Sequence, residues 1–326
     1  MNHPLSETLA LGRRVRERLA KKIVFDRHVG LQDTVFLSSM GRSGSTFVSN
    51  VINHDNRCRV IFEPFHPDKT AELADLDYPL YLDPEQQAPR QHAVFENIMK
   101  GRIHSDWVNL ENRTILPRAR LIKAIRANLF LKWLHLHFSE ARYILLLRHP
   151  CAVVDSWLNA GFGDGSGARH ALLTNPALRA QLDDDLIAGY AGTESPFERL
   201  LYFWCIYNGI PLRQFRPGEI HLVFYENLVA RPHQEIQALF SYLGREYDEA
   251  AVSEALSTPS LTTQKNAASF QGRNALSTLG RWQQTLSAGQ LARADEILAR
   301  FGLDGLYSSR SILPKATVAE QLLAAH

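Results

Sequence analysis

The sequence predicts a three-layer α/β fold with a largely parallel central sheet. Strand-like and helix-like stretches alternate along the chain. The most apolar strand, Arg142–Leu147, has the continuous hydrophobic character of a strand covered on both faces. The first strand, Thr34–Ser39, runs through a Gly- and Ser-rich turn directly into a helix.

After that turn, Phe47, Val48, Val51 and Ile52 mark the helix, and Arg59–Phe62 reads as a short second strand. Residues 66–90, rich in Pro, Asp and Gln, read as an irregular excursion. Arg120–Ile125 is expected to be a strand and Asn128–Phe138 a helix. The strand Arg142–Leu147 stops at Arg148-His149-Pro150, and Cys151–Asn159 continues as helix, with Pro150 at a favourable opening position. Gly-rich residues 161–167 open a polar insertion reaching about residue 195. A helix over Phe197–Arg213, a strand over Ile220–Tyr225 and an amphipathic helix over Pro232–Leu243 follow, the last with Ile236, Leu239 and Phe240 on one side. Residues 257–280, poor in helix formers, read as loop.

No linker divides the 326 residues, so a single domain over 1–326 is expected, with an N-terminal helical extension (1–30), a motif-bearing core (34–290) and a C-terminal tail (305–326). In the extension, Leu11, Val15 and Leu19 form an apolar stripe among Arg and Lys residues, expected to pack on its own domain. A net charge of +2 gives no global field of the kind nucleic-acid proteins show, so anion recognition must be local. Cys58, Cys151 and Cys205 are too scattered for a zinc site or disulfide framework and suit a reducing, cytoplasmic setting. No apolar run approaches the ~20 residues needed to span a bilayer. The oligomeric state is not legible.

The turn carries the first chemistry. Gly41, Arg42, Ser43, Gly44, Ser45 and Thr46 place backbone N–H groups, hydroxyls and a permanent cation at a helix N-terminus, a P-loop-like cradle for an anion. Nucleoside triphosphatases need a Lys after the second Gly, where this chain has Ser45. The second site lies at the end of the central strand, where open α/β sheets bind ligands. There Arg148, with Ser156 eight residues on, is placed to hold a phosphate beside the helix. A magnesium-dependent phosphotransferase would want a carboxylate at such a strand end.

Gly41–Phe47 resembles the 5′-phosphosulfate loop of the sulfotransferases, and Arg148–Trp157 resembles their 3′-phosphate motif. Val223–Leu228 is similar to the family's Tyr-Glu-Asp-Leu segment, and Leu279-Gly280-Arg281-Trp282 to its C-terminal Gly-x-Trp element. The resemblance implies a soluble enzyme taking 3′-phosphoadenosine 5′-phosphosulfate (PAPS) as donor, with no metal required. It implies donor contacts from the loop, Arg148, Ser156, Tyr225, Arg281 and Trp282, although Trp282 reads equally as core. The family's basic tripeptide at the 3′-phosphate is not recognisable, and Arg273 is its candidate replacement. Arg42 would be catalytic, stabilising the leaving phosphate.

Glu63, in Phe62-Glu63-Pro64, matches a glutamate that faces the acceptor in the carbohydrate and tyrosyl-protein branches and is the expected general base, with His66 the competitor. Lys123 reads as either an aid to the sulfuryl oxygens or a surface charge. Residues 66–117 and 161–195 are expected to build the acceptor pocket and a lid. The expected reaction moves the sulfuryl group to an acceptor hydroxyl or amine; the branch resemblance favours a carbohydrate or glycosylated small molecule, with a peptide tyrosine, a lipid head group or a small natural product left open. The alternatives are a P-loop-type kinase or a non-catalytic anion-binding module.

Overall fold

The computed structural model describes residues 12, 15–74, 78–161, 163–249 and 278–325. Five strands, β1 (Thr34–Ser39), β2 (Cys58–Phe62), β3 (Ala119–Ala124), β4 (Arg142–Leu147) and β5 (His221–Phe224), form one sheet in the order β2-β3-β1-β4-β5. Every pairing is parallel, with Phe36 opposite both Ile122 and Tyr143. Each pair needs a crossover, and helices supply it on both faces.

Alternation along the strands divides the core. Phe36, Ile61, Ile122, Tyr143 and Leu145 face one layer, built on the helices α1 (Leu131–His137), α2 (Pro150–Ala160) and α3 (Pro196–Gln214). Val35, Leu37, Val60, Leu121, Ile144 and Leu146 face the other, built on Ser45–Ile52 and Pro232–Tyr242. Ile236, Leu239 and Phe240, the apolar side expected from the sequence, fill this second layer. The long helix α3 is buried almost along its whole length and lies against α2 and the helices Ala288–Arg300 and Ala316–Ala324. The tail is thus packed through Ala319 and Leu323.

Three expectations change. The polar insertion holds helices at Ser166–Thr174, Pro176–Arg179 and Asp184–Gly192. Their starts carry a Pro with an Asn175 side-chain cap, and acidic residues Asp184 and Asp185 that suit a helix N-terminus. The excursion after β2 ends in a helix, Pro89–Met99, whose Phe95, Ile98 and Met99 are buried. In the N-terminal extension, residues 15–20 are helical, but Val15 and Leu19 are 49% and 46% exposed, so this part of the stripe does not pack on the domain. The extension is anchored instead through buried Ala20, whose carbonyl accepts from Asn112 Nδ2 at 2.7 Å.

Two fully buried arginines face one another across the sheet, Arg59 on β2 and Arg120 on β3. Asp26 neutralises both: its Oδ2 accepts from Arg59 Nη1 at 2.9 Å and Arg120 Nε at 3.3 Å. Further N–H groups go to the carbonyls of Gly101, Ile103, Met99 and Val29 and to Thr34 and Asn109, while Arg59 Nε is buried without a hydrogen-bond partner. Burial lowers the proton affinity of both arginines, and Asp26 offsets it. Removing one partner of such a cluster leaves buried charge uncompensated. Asp26→Ala is expected to cost about 3–5 kcal/mol. Urea unfolding checks this, and an unchanged midpoint would mean that the carbonyl dipoles alone hold the arginines.

Candidate active site

The two strands at the middle of the sheet send their connections in opposite directions: β1 leads towards the β2 edge and β4 towards the β5 edge. The crevice between their carboxyl ends is the topological switch point, the place where this fold class binds ligands. Both basic sites expected from the sequence open onto it.

After β1 the chain makes its tight turn with Arg42 at φ 70° and Gly44 at φ 92°. Gly44 caps the following helix, Ser45–Ile52, and a Cβ there would lie 2.4 Å from carbons of the Tyr225 ring. Glycine is therefore required both for the backbone angle and for the approach of Tyr225. Ser43 and Ser45 are buried in the turn. Trp157 Nε1 donates to the Gly41 carbonyl at 2.9 Å and fastens the turn to α2.

From the end of β4, Arg148 Nη1 donates to the Arg42 carbonyl at 2.8 Å, and its guanidinium lies 4.8 Å from the Tyr225 ring centre. Arg42 Nε in turn donates to Ser156 Oγ at 3.0 Å, so the loop, the strand end and α2 meet in one place. Burial and then the Arg148 charge lower the proton affinity of Arg42. Two arginines meeting beside a helix N-terminus are suited to holding an anion.

Behind Arg148 lies a buried polar cluster. Glu226 Oε1 accepts from the His149 backbone N–H at 2.8 Å, and its Oε2 accepts from Tyr307 Oη at 3.4 Å. His149 Nδ1 accepts from the Cys151 N–H at 3.2 Å and Nε2 faces the Ser308 carbonyl at 3.1 Å, which assigns the proton to Nε2. Burial pulls His149 down to about 4, so the ring is neutral. Trp282 stacks on that ring, 4.2 Å between centres and 19° between planes, and is itself buried. Arg281 beside it is exposed. Arg273 lies outside the described residues. The sequence singled out neither Tyr307 nor the contact between Glu226 and the phosphate motif. Both depend on the return of the C-terminal segment.

The third corner is formed by the ends of β2 and β3. Glu63, at φ 39°, donates its N–H to the Lys123 carbonyl at 2.8 Å, and its Oε2 accepts from Arg126 Nη1 at 3.1 Å. Burial, opposed by Lys123 and Arg126, leaves the Glu63 carboxyl above its ordinary range. Lys123 is not a surface charge: it is 2% exposed, and Nζ donates to Thr46 Oγ1 at 2.8 Å and to Glu111 Oε1 at 3.2 Å. The cradle is thereby linked to the Glu63 corner. His66 lies edge-on to Trp107, with its proton affinity lowered by burial and then by Arg126. Trp107 Nε1 donates to the Glu63 carbonyl at 3.1 Å. Arg126 and Glu111 were not picked out from the sequence; only the position of Arg126 just past a strand end hinted at a role.

Among the described residues, no three His, Cys, Asp or Glu side chains converge as a metal-binding group, and no helix is long and apolar enough to cross a membrane.

A parallel sheet with Arg42 and Arg148 meeting at its switch point is an α/β arrangement suited to phosphate-like anions. Residues 34–249, well over half of the chain, match the Sulfotransferase family, and the chain belongs to that family. Among solved structures, the sulfotransferase domain from the Synechococcus PCC 7002 olefin synthase is 20% identical, with 82% of this chain and 94% of that chain covered and a TM-score of 0.48. The sulfotransferase domain from the curacin biosynthetic pathway is 18% identical, covering 82% and 96%, with a TM-score of 0.47. Mouse sulfotransferase SULT7A1 complexed with PAP is 15% identical, covering 88% of each chain, also with a TM-score of 0.47. No curated protein matches the chain.

Two outcomes are expected from this geometry. Gly44→Ala should unfold the turn or displace Tyr225, lowering both the thermal midpoint and anion binding. Burial raises Glu226 from its ordinary 4.5 to about 7. The folded state therefore holds this proton more tightly than the unfolded chain. The stability it contributes is complete below about pH 4.5 and is lost as pH rises through about 7. Glu226→Gln should flatten that part of the stability-against-pH curve, and an unchanged slope would mean that Glu226 does not titrate there.

Proposed function

We propose that this protein transfers a sulfuryl group from PAPS to an acceptor hydroxyl by in-line displacement, with Glu63 as general base. The observation that carries the reading is the meeting of Arg42, Arg148 and Ser156 at the switch point. These residues fit a donor bearing two separated phosphate groups. Arg42 and the loop amides are suited to the 5′-phosphosulfate, and Arg148 and Ser156 to the 3′-phosphate. The Arg42–Ser156 hydrogen bond marks the boundary between the two subsites.

PAPS supplies an already activated sulfuryl group, so the protein's part is positioning and charge stabilisation. Arg42 and the amides of Gly44 to Thr46 stabilise the negative charge that appears on the departing phosphate as its bond to sulfur breaks. The Glu63 carboxylate takes the proton of the acceptor hydroxyl as the new oxygen–sulfur bond forms. Arg126 holds that carboxylate in place, and burial keeps it more basic than an exposed glutamate. Lys123, between Thr46 and Glu111, is positioned to favour the sulfuryl oxygens. The singly charged sulfuryl end needs no metal by this reasoning. The similarity of the Arg42 turn and of Glu63-Pro64 to the carbohydrate and tyrosyl-protein branches supports a carbohydrate or glycosylated small molecule as acceptor. The lack of an apolar spanning helix among the described residues is consistent with the proposed cytoplasmic setting.

Calorimetric titration with 3′-phosphoadenosine 5′-phosphate (PAP) is expected to show metal-independent binding that Arg148→Ala weakens. Preference for ATP with magnesium would return the loop to the kinases. Binding without any sulfuryl transfer would leave an anion-binding module. In turnover assays, Arg42→Ala should lose about 10²–10³-fold in kcat. Glu63→Gln should lose about 10²–10⁴-fold with PAP affinity unchanged, while His66→Asn stays near wild type and a chelator has no effect. The reverse pattern for Glu63 and His66 would move the base to the histidine.

A further inference from the structure

The apolar stripe of the N-terminal extension is left open by the fold, and it continues beyond the helix of residues 15–20. Val15 and Leu19 lie about one turn apart on that helix. The Ile23 N–H donates to the Leu19 carbonyl at 2.8 Å, which carries the same row one turn further. Exposure then alternates: Val24 and Asp26 are buried, so Ile23 and Phe25 share the outer side. The Phe25 N–H donates to the Ile115 carbonyl at 2.8 Å and brings the chain at Leu116 alongside. Phe25 and Leu116 are 60% and 68% exposed, so most of each residue faces water.

Single exposed apolar residues are ordinary, but a contiguous row with a charged rim marks a contact surface. The rim here is basic. Arg16 and Arg18 are exposed on the helix, Arg27 follows Phe25 and Arg118 follows Leu116, both also exposed. Glu17 is the one acidic residue in the sequence from 15 to 25, and Asp106 nearby is taken up by Lys22 at 2.6 Å. A second copy of the chain fits this face poorly, because a two-fold contact would bring two basic rims together. A polyanion such as a nucleic acid would use the cations and leave Phe25 and Leu116 in water. An anionic bilayer satisfies both features, since the apolar row enters the boundary of headgroups and acyl chains while lipid phosphates meet the arginines.

We propose that this face docks on the surface of a bilayer carrying anionic lipid, with Val15, Leu19, Ile23, Phe25 and Leu116 inserted and the arginines at the phosphates. The inference goes beyond the sulfotransfer reading and does not depend on it. Anionic lipid is concentrated in the cytoplasmic leaflet, which agrees with the proposed cytoplasmic setting. The segment that leads to Leu116 also carries Trp107, which donates to the Glu63 carbonyl, and Glu111, which accepts from Lys123. Docking therefore fixes the acceptor corner relative to the bilayer.

Co-sedimentation of the full chain with vesicles tests this, using phosphatidylcholine alone and phosphatidylcholine with about 30% phosphatidylglycerol. Binding to the anionic vesicles is expected to be about tenfold or more stronger than to the neutral ones, and to weaken as salt is raised. Ile23→Ser combined with Phe25→Ser should lower the partition coefficient about tenfold or more. Arg16→Gln combined with Arg18→Gln should lose a similar factor, about tenfold, on the anionic vesicles only. Leu116→Ser, on a separate segment, reads the same face should the first variant not fold. PAP affinity and the thermal midpoint are expected to stay at wild-type values in every variant. Absence of binding to either vesicle, or binding indifferent to these substitutions, would overturn the inference. So would a dimer in sedimentation equilibrium that the Ile23 and Phe25 substitutions dissociate, which would give the face to a second copy.

Discussion

The parallel pairing of β1 with β4 is the constraint on which the site depends. It sets Ser39 opposite Leu146, so the turn after one strand and the arginine after the other leave the sheet side by side. Connections departing in opposite directions keep the space between them open. Arg148 can then reach the Arg42 carbonyl, and Arg42 can reach Ser156, although more than a hundred residues separate the turn from both partners.

Holding two guanidinium groups together opposes the fold, and the surroundings show how this is managed. Tyr225 presents its ring to Arg148 and fills the space that Gly44 leaves by lacking a Cβ. Glu226 supports the strand end from behind by accepting the His149 N–H, while a neutral His149 packs against Trp282. Arg148 is thus positioned by a backbone hydrogen bond and a ring contact. At the far end of the sheet, Asp26 is placed between Arg59 and Arg120.

Donor and acceptor corners are linked through the strand that lies between β1 and β2. Lys123 on β3 joins Thr46 to Glu111, and Arg126 just beyond β3 hydrogen-bonds Glu63.

The strands and the two candidate phosphate motifs were legible in the chain because each is a local pattern, whereas Glu63 entered through the family resemblance. A strand has its period of two, a cradle its glycines, and a strand-to-helix junction its arginine and proline. The helices of residues 166–192 were not, since Gly- and Asp-rich composition hides short helices whose stability comes from capping and from docking on the core. Arg126, Glu111 and Tyr307 carry no local signature; each acquires a role through a contact made between distant segments. Trp282 shows the same limit, because an aromatic beside a motif fits a ligand or a core equally until its neighbours are known. Local spacing by itself determined the order of strands and helices and pointed to two candidate anion-binding motifs, while the candidate base came from the resemblance to the sulfotransferases. Tertiary structure alone decided the strand order, the contact of Arg148 with the Arg42 carbonyl, and the burial of Lys123 and Glu63. Those properties come from distances and desolvation between residues far apart in the chain, which no single segment encodes.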